Sequence, residues 1–180
     1  MAIHVMSDIE TWNLSPSAPL LVEIGAVKFD GEQVIDRFHV AIDPADAERY
    51  GFVPDAKTML YWMDEKRAEA RANWLGLPKV DLYAAIDGWS QWCGLTPMDQ
   101  RGSHWGKGAT FDNVRLKAVC DRLQLEYPFT YRQDECYRTL ANRVPHVGYT
   151  QLGTAHVGVD DAESQAVHLI QIAKYLGIEL

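Results

Sequence analysis

Four acidic positions and one histidine stand apart by residue type and order. Asp8 and Glu10 lie near the start, Asp112 in the middle, and His156 ahead of the Asp160-Asp161 pair near the end. In Asp8-Ile9-Glu10 the acids are two residues apart. Side chains alternate along a strand, so both carboxylates project from one face and Ile9 from the other. Two adjacent carboxylates repel unless a cation lies between them. Alone, the pair reads equally well as two solvated acids at a strand end. Asp112 follows Thr110-Phe111 at an expected helix start, where the helix dipole by itself favours an acid. The segment His156-Val-Gly-Val-Asp160-Asp161-Ala162 is more specific. A loop histidine precedes an aspartate that opens an amphipathic helix, so the imidazole can move while the helix holds the carboxylate. A surface histidine with an acidic pair capping the helix is the plainer alternative.

The chemistry served by such a set is in-line phosphodiester hydrolysis. Two divalent ions ~3.5–4 Å apart clamp the attacking and leaving oxygens. Such ions are hard, so Mg²⁺ or Mn²⁺ held by Asp and Glu is expected rather than zinc held by Cys and His. A histidine that is neutral near pH 7 can take the proton of the attacking water. Cys93, Cys120 and Cys136 are scattered without ligand spacing, which fits a reducing cytoplasm. His4, His39, His104, His146 and His168 are scattered too, which argues against a histidine-rich metal phosphoesterase.

Periodicity indicates the elements that would position these residues. Residues 2–7 read as a short buried strand that leaves Asp8 and Glu10 at its end. Residues 21–29 and 33–42 read as two more strands joined at Asp30-Gly31, a hairpin signal. Residues 56–74 and 79–93 have helical spacing, and 101–106 is a strand candidate. Residues 110–124 follow as a helix with Thr110 as N-cap. Residues 133–143 read as a short helix. The last helix, 161–176, carries Ala162, Ala166, Leu169, Ile170, Ala173 and Leu176 as its apolar stripe and stops at Gly177. The expected fold class is α/β: a three-strand antiparallel meander plus further strands, covered by helices.

The bulk numbers fit one domain over residues 1–180. Hydrophobic residues make up 47% and charged residues 23%, as in a soluble globular chain. No apolar run approaches the roughly 20 residues that span a bilayer. The N-terminus lacks a basic-then-apolar leader, so a cytoplasmic location is expected. The net charge of −8 argues against a protein that coats long duplexes. It leaves a metal nuclease untouched, because carboxylates present positive charge to a phosphate once cations arrive.

The order D-x-E, a mid-chain Asp at a helix start, and H-x4-D before the last helix resembles the DEDDh branch of DnaQ-like 3′-5′ exonucleases. Asp8-Ile9-Glu10-Thr11, Glu23-Ile24-Gly25-Ala26-Val27, Phe111-Asp112 and His156 with Asp161 carry the resemblance. The family's spacing selects Asp161 rather than Asp160. Thr58-Met59-Leu60-Tyr61-Trp62 and Trp105-Gly106-Lys107-Gly108-Ala109-Thr110-Phe111-Asp112 are similar to a narrower group of small single-domain enzymes. That group includes the phage T4 exonuclease DexA and the mycobacterial exoribonuclease that trims adenylated RNA. The resemblance implies an RNase H-like fold, two metal ions, and release of nucleoside 5′-monophosphates from a 3′ end. It implies that Asp8, Glu10 and Asp161 hold the catalytic metal and that Asp8 bridges to the second. Asp112 then acts nearby or through water, with His156 as general base. It also implies a homodimer.

A terminal nucleotide needs a stacking surface. Trp12, just past the acidic pair, is the first candidate, followed by Trp62, Trp105 and Phe111, and Lys107 could meet a phosphate. Each of these four aromatics taken singly reads more readily as core, and Lys107 more readily as a solvated loop lysine. Three functions remain in play. Exoribonuclease on single-stranded ends comes first, exodeoxyribonuclease second, and a catalytically idle nucleic-acid-binding module third. The last predicts a broken motif, and all five residues are present.

Overall fold

The computed structural model describes residues 2–180. The first strand, β1 (Ile3–Thr11), runs further than its apolar residues predicted, so Asp8 and Glu10 lie inside it rather than at its end. β2 (Leu21–Phe29) and β3 (Val34–Ile42) complete an antiparallel meander. Short helices α1 (Pro44–Glu48) and α2 (Ala56–Met63) follow, then a 3-10 turn at Glu65–Arg67 and α3 (Ala68–Gly76). β4 (Lys79–Val80) leads into α4 (Leu82–Gly94), and β5 (Arg101–Gly106) leads into α5 (Asp112–Leu123). β6 (Asp134–Cys136), α6 (Tyr137–Ala141) and α7 (Gly158–Leu176) finish the chain. The strands form one six-stranded sheet in the order β4-β3-β2-β1-β5-β6, with β5 parallel to β1 and β6 parallel to β5. This is the mixed α/β architecture expected from the sequence.

The pleat of β1 divides the core. Val5 and Ile9 face one layer, where Leu82, Ile86 and Trp89 of α4 and Leu116 and Val119 of α5 pack. Met6 faces the other, against Ala162, Ala166 and Leu169 of α7. Asp8 and Glu10 share the parity of Met6, so they point toward the start of α7.

Local expectations fail where a tertiary partner outweighs periodicity. Residues 133–143 are not one helix. Asp134 pairs with His104 on the sheet edge, and its carboxylate accepts from Asn113 and the Tyr127 hydroxyl, which holds β6 extended before α6 begins. Thr110 is not the cap of α5. The helix starts at Asp112 with Phe111 at the N-cap and no capping side chain. Residues 79–80 join the sheet beside β3, and Asp81 caps α4 by accepting from Ala84 N (2.7 Å). α7 starts three residues early, at Gly158, which puts His156 almost on the helix.

Candidate active site

β1 presents Asp8 and Glu10 on one face. Asp8 pairs across the sheet with Gly25, and Glu10 with Glu23. Gly25 has a positional reason. A Cβ there would occupy the backbone of Gly158 and Val159, so only glycine lets the N-terminus of α7 settle on β2. Glu23, buried, anchors that contact by accepting from Gly158 N (2.6 Å) and lies 2.9 Å from His39 Nε2. A carboxylate at a helix N-terminus meets free N–H groups and the positive end of the dipole. Glu23, Gly25 and Gly158 therefore bring the last helix to the first strand.

Asp112 arrives from the other flank. Gly106 pairs with Ser7, and a Cβ on Gly106 would press on Asn113 and Asp112, so this glycine lets the start of α5 close onto the sheet. Asp112 is buried and accepts from Ile9 N (3.3 Å), the residue between the two β1 acids. Burial pushes its carboxyl up to about 7, although backbone N–H groups pull the other way.

His156 and Asp161 are locked to each other. His156 has φ 66°, a left-handed conformation uncommon outside glycine. Asp161 Oδ2 accepts from the His156 backbone N–H (3.0 Å), while Oδ1 accepts from Gln151 Nε2 (2.7 Å). The imidazole leans between acids and aromatics. Its Nδ1 is 3.9 Å from Glu10 Oε1 and its Nε2 is 3.5 Å from the Tyr61 hydroxyl. Partial burial holds its pKa below the ordinary value, against the pull of Asp161. Asp160 does not cap the helix. It accepts from Thr154 N (2.7 Å) and shapes the turn before His156.

All five residues thus meet on one face, and the electrostatics report the crowding. Burial, then Asp112 and Asp161, hold the Asp8 carboxyl well above the carboxylate range; the Gln165 amide and Lys107 oppose this. Glu10 is raised by burial and then by Asp8 and Glu23. Such a set favours a cation, which replaces the protons the acids would otherwise hold. Among the described residues, ligand atoms of Glu10, His156 and Asp161 lie within 4.8 Å of one another. The set implied by the resemblance has Asp8 in place of His156. Asp8 Oδ1 here accepts from Gln165 Nε2 (2.7 Å).

Sequence reasoning missed Gln165 and Gln151, and it gave no role to Glu23 and Tyr61, which it quoted only within motifs. Gln165 was accessible to periodicity, since it lies four residues after Asp161 on the same helical face. Gln151 and Tyr61 are loop and helix residues whose relation to the site exists only in the fold.

The proposed contact residues separate. Glu10 and Trp62 line two adjacent cavities. One, of about 180 Å³, also holds Trp12, Met59, Arg71 and Trp74. The other, of about 240 Å³, holds Tyr61 and Phe111. Trp12 is half-buried with its ring 5.1 Å from that of Trp74, and Trp62 is fixed by donating its indole N–H to Thr11 O (2.9 Å). Phe111 carries the Arg115 guanidinium over its ring at 3.8 Å. Trp105 is a correction. It is opposite Met6 in the sheet, 8% exposed, and packed in the α7 layer with its indole N–H toward His4, so it fills core instead of a cleft. Lys107 lies near enough for its charge to act on Asp8 and His156.

Comparison with known proteins bears on the family and the fold. The sequence model described as the 3′-5′ exoribonuclease Rv2179c-like domain matches residues 3–173. A 44-residue segment is 43% identical to the PolC-type DNA polymerase III of Thermotoga maritima, covering 24% of this chain and 3% of that one. Among solved structures, exonuclease I superposes with a TM-score of 0.67 at 15% identity over 97% of this chain, which spans 41% of its length. The nuclease domain of 3′hExo, described as a DEDDh family member bound to rAMP, gives 0.66 at 14% identity, covering 99% of this chain and 94% of that one. At these identities the structural likeness establishes the shared fold.

Proposed function

The chain belongs to the Rv2179c-like 3′-5′ exoribonuclease domain family, and from that premise we propose that it removes nucleoside 5′-monophosphates from the 3′ end of single-stranded RNA. The observation that supports this reading is the convergence of Asp8, Glu10, Asp112, Asp161 and His156 from three distant stretches of chain onto one face beside aromatic cavities.

The residues fit divalent cations. The donors are carboxylate oxygens, hard ligands suited to Mg²⁺ or Mn²⁺, and the buried acids repel one another without positive charge between them. Asp8, Glu10 and Asp161, with Asp112 alongside, would hold two ions. When bound, these supply charge neutralisation at the phosphoryl oxygens and acidify the attacking water. His156 takes the proton from that water, since burial keeps the imidazole neutral near pH 7. Asp161 holds the His156 backbone while Tyr61 and Trp62 bracket its ring edge-on, at 6.0 and 6.4 Å between centroids. The P–O3′ bond breaks, the departing strand's 3′ oxygen gains a proton, and the 5′-monophosphate leaves. Trp12, half-buried, then receives the terminal base, with the buried Trp62 as a wall of its cavity and Phe111 lining the adjoining one.

Exodeoxyribonuclease is the second reading, favoured by the fold shared with E. coli exonuclease I, whose structures include a complex with a dA16 oligonucleotide. A homodimer, on the family resemblance, and a cytoplasmic location, on the unpatterned cysteines, complete the proposal. No helix among the described residues is long and apolar enough to cross a membrane. A side-by-side digest of labelled single-stranded RNA and DNA tests the reading. Mononucleotide release from a free 3′-OH but not from a 3′-phosphate is expected, faster on RNA. Equal loss from both ends would overturn the polarity, and release from DNA alone would overturn the sugar preference.

A further inference from the structure

A second depression opens on the flank of β1 away from the tryptophan cavity. Val22 and Glu23 of β2 line the tryptophan cavity, whereas Lys107, just past β5, lines the second depression. β2 and β5 flank β1 on opposite sides, so the strand carrying Asp8 and Glu10 runs between the two. The second depression is an open groove of about 400 Å³ reaching across α6 to the 145–149 loop. Among the described residues none of its lining side chains is acidic, in a chain of net charge −8. Lys107, Arg138 and Asn142 supply its polar rim.

Tyr149 stands in this groove, 41% exposed yet held on several sides. Its hydroxyl donates to Gln151 Oε1 (2.8 Å), and Gln151 Nε2 donates to Asp161 Oδ1 (2.7 Å), a chain that ends on a carboxylate of the acidic cluster. Its ring meets His168 edge-on at 5.5 Å. His168 is fixed in turn, donating from Nε2 to Val147 O (2.9 Å) and accepting at Nδ1 from the Tyr137 hydroxyl (2.6 Å). Lys107 Nζ lies 5.9 Å from the Tyr149 ring centre. Arg138 reaches back over the Gly108 turn, where a Cβ would come within 4.0 Å of its guanidinium. A rigid exposed aromatic flanked by two cations is the combination that binds single-stranded nucleic acid: bases stack and phosphates are neutralised, whatever the sequence.

We propose that this groove binds the strand 5′ of the nucleotide being removed, with a base stacked on Tyr149 and backbone phosphates at Lys107 and Arg138. This rests on the exonuclease reading and extends it. The smaller tryptophan cavity takes one terminal residue, the acids take the scissile phosphate, and the wider groove takes the continuing chain.

The test compares a long single-stranded oligonucleotide with the 4-nitrophenyl ester of uridine 5′-monophosphate, which has no nucleotide 5′ of its scissile bond, as substrates for the unaltered protein and for Tyr149→Ala, Tyr149→Phe and Arg138→Glu. Tyr149→Ala should raise KM for the long strand roughly tenfold more than for the nitrophenyl ester, as loss of one stacking contact implies. Tyr149→Phe, which keeps the ring, should recover most of that loss. Fluorescence anisotropy of the labelled long strand should show the salt dependence of binding fall by about one phosphate contact in Arg138→Glu. Equal effects on both substrates would overturn the groove assignment. So would a Tyr149→Phe defect as large as that of Tyr149→Ala, which would assign the role to the hydroxyl. An unaltered protein that cleaves neither substrate overturns the exonuclease reading and the groove together; cleavage of both with an unmoved ratio overturns the groove alone.

Discussion

The five residues proposed for the site are assigned separable roles, and substitution distinguishes them. Asp8→Asn or Asp161→Asn keeps shape and removes charge. Either should lower metal-dependent mononucleotide release by more than the roughly 100-fold that loss of an outer partner costs. Near-normal turnover would show that neither carboxylate holds a required ion. His156→Ala should lower kcat by roughly 10²- to 10⁴-fold, the usual contribution of a general base. Mn²⁺ binding, followed by calorimetry, should stay within a few-fold. If Mn²⁺ binding is lost instead, the proximity of His156 to Glu10 and Asp161 reflects ligation, not proton transfer. The pH profile adds a sign. The base works when neutral, so kcat/KM at saturating metal should rise with pH through the His156 pKa. Burial places that rise below the ordinary 6.5. A midpoint above 6.5 would assign the limb to another group.

Among the elements, the junction of α7 with β2 decides whether the site exists. Its apolar stripe was legible in the sequence, because alanines and leucines recur at helical spacing. Its true start at Gly158 was not, since Gly158 N is satisfied by Glu23, a partner 135 residues away. Gly25→Ala tests the junction. A methyl there meets backbone rather than a yielding side chain, so a loss at the upper end of the ~1–3 kcal/mol typical of overpacking is expected. Activity should fall more than stability, since His156 and Asp161 ride on the displaced helix. Urea denaturation beside steady-state rates checks this, and unchanged values for both would refute the close approach. β6 carries the same lesson. Residues 133–143 contain enough apolar spacing to imply one helix, and only the sheet edge at β5 holds the first part extended.

For the whole molecule, the proposed metal site sets ion against proton for one set of acids. In the unfolded chain Asp112 titrates near 3.8, and in the folded one near 7. Between these values the folded state holds more protons, so its stability falls as pH rises, and the penalty is complete above 7. A divalent ion removes this penalty and binds best once the acids are ionised. Mn²⁺ at a hundredfold excess over its Kd contributes about 2.7 kcal/mol, which is roughly 5–10 °C in Tm for a domain of this size. The rise should be large at pH 8 and small at pH 5 by differential scanning fluorimetry. Equal rises at both would show that the ion binds away from these carboxylates.

By itself the sequence pointed to the chemistry that the proposed site would serve. Residue types, their order along the chain and the strand alternation that puts Asp8 and Glu10 on one side are local properties, readable without a partner. The family motif follows from them, as does the α/β layout. Tertiary structure decided the arrangement. It extended β1 beyond its apolar stretch, moved Trp105 from a contact candidate into the core, and put Gln165 on Asp8 and Gln151 on Asp161. It also gathered Lys107, Arg138 and Tyr149 along one groove. These outcomes depend on contacts between residues far apart in sequence, whose energies appear only once the sheet has closed and the last helix has docked on it.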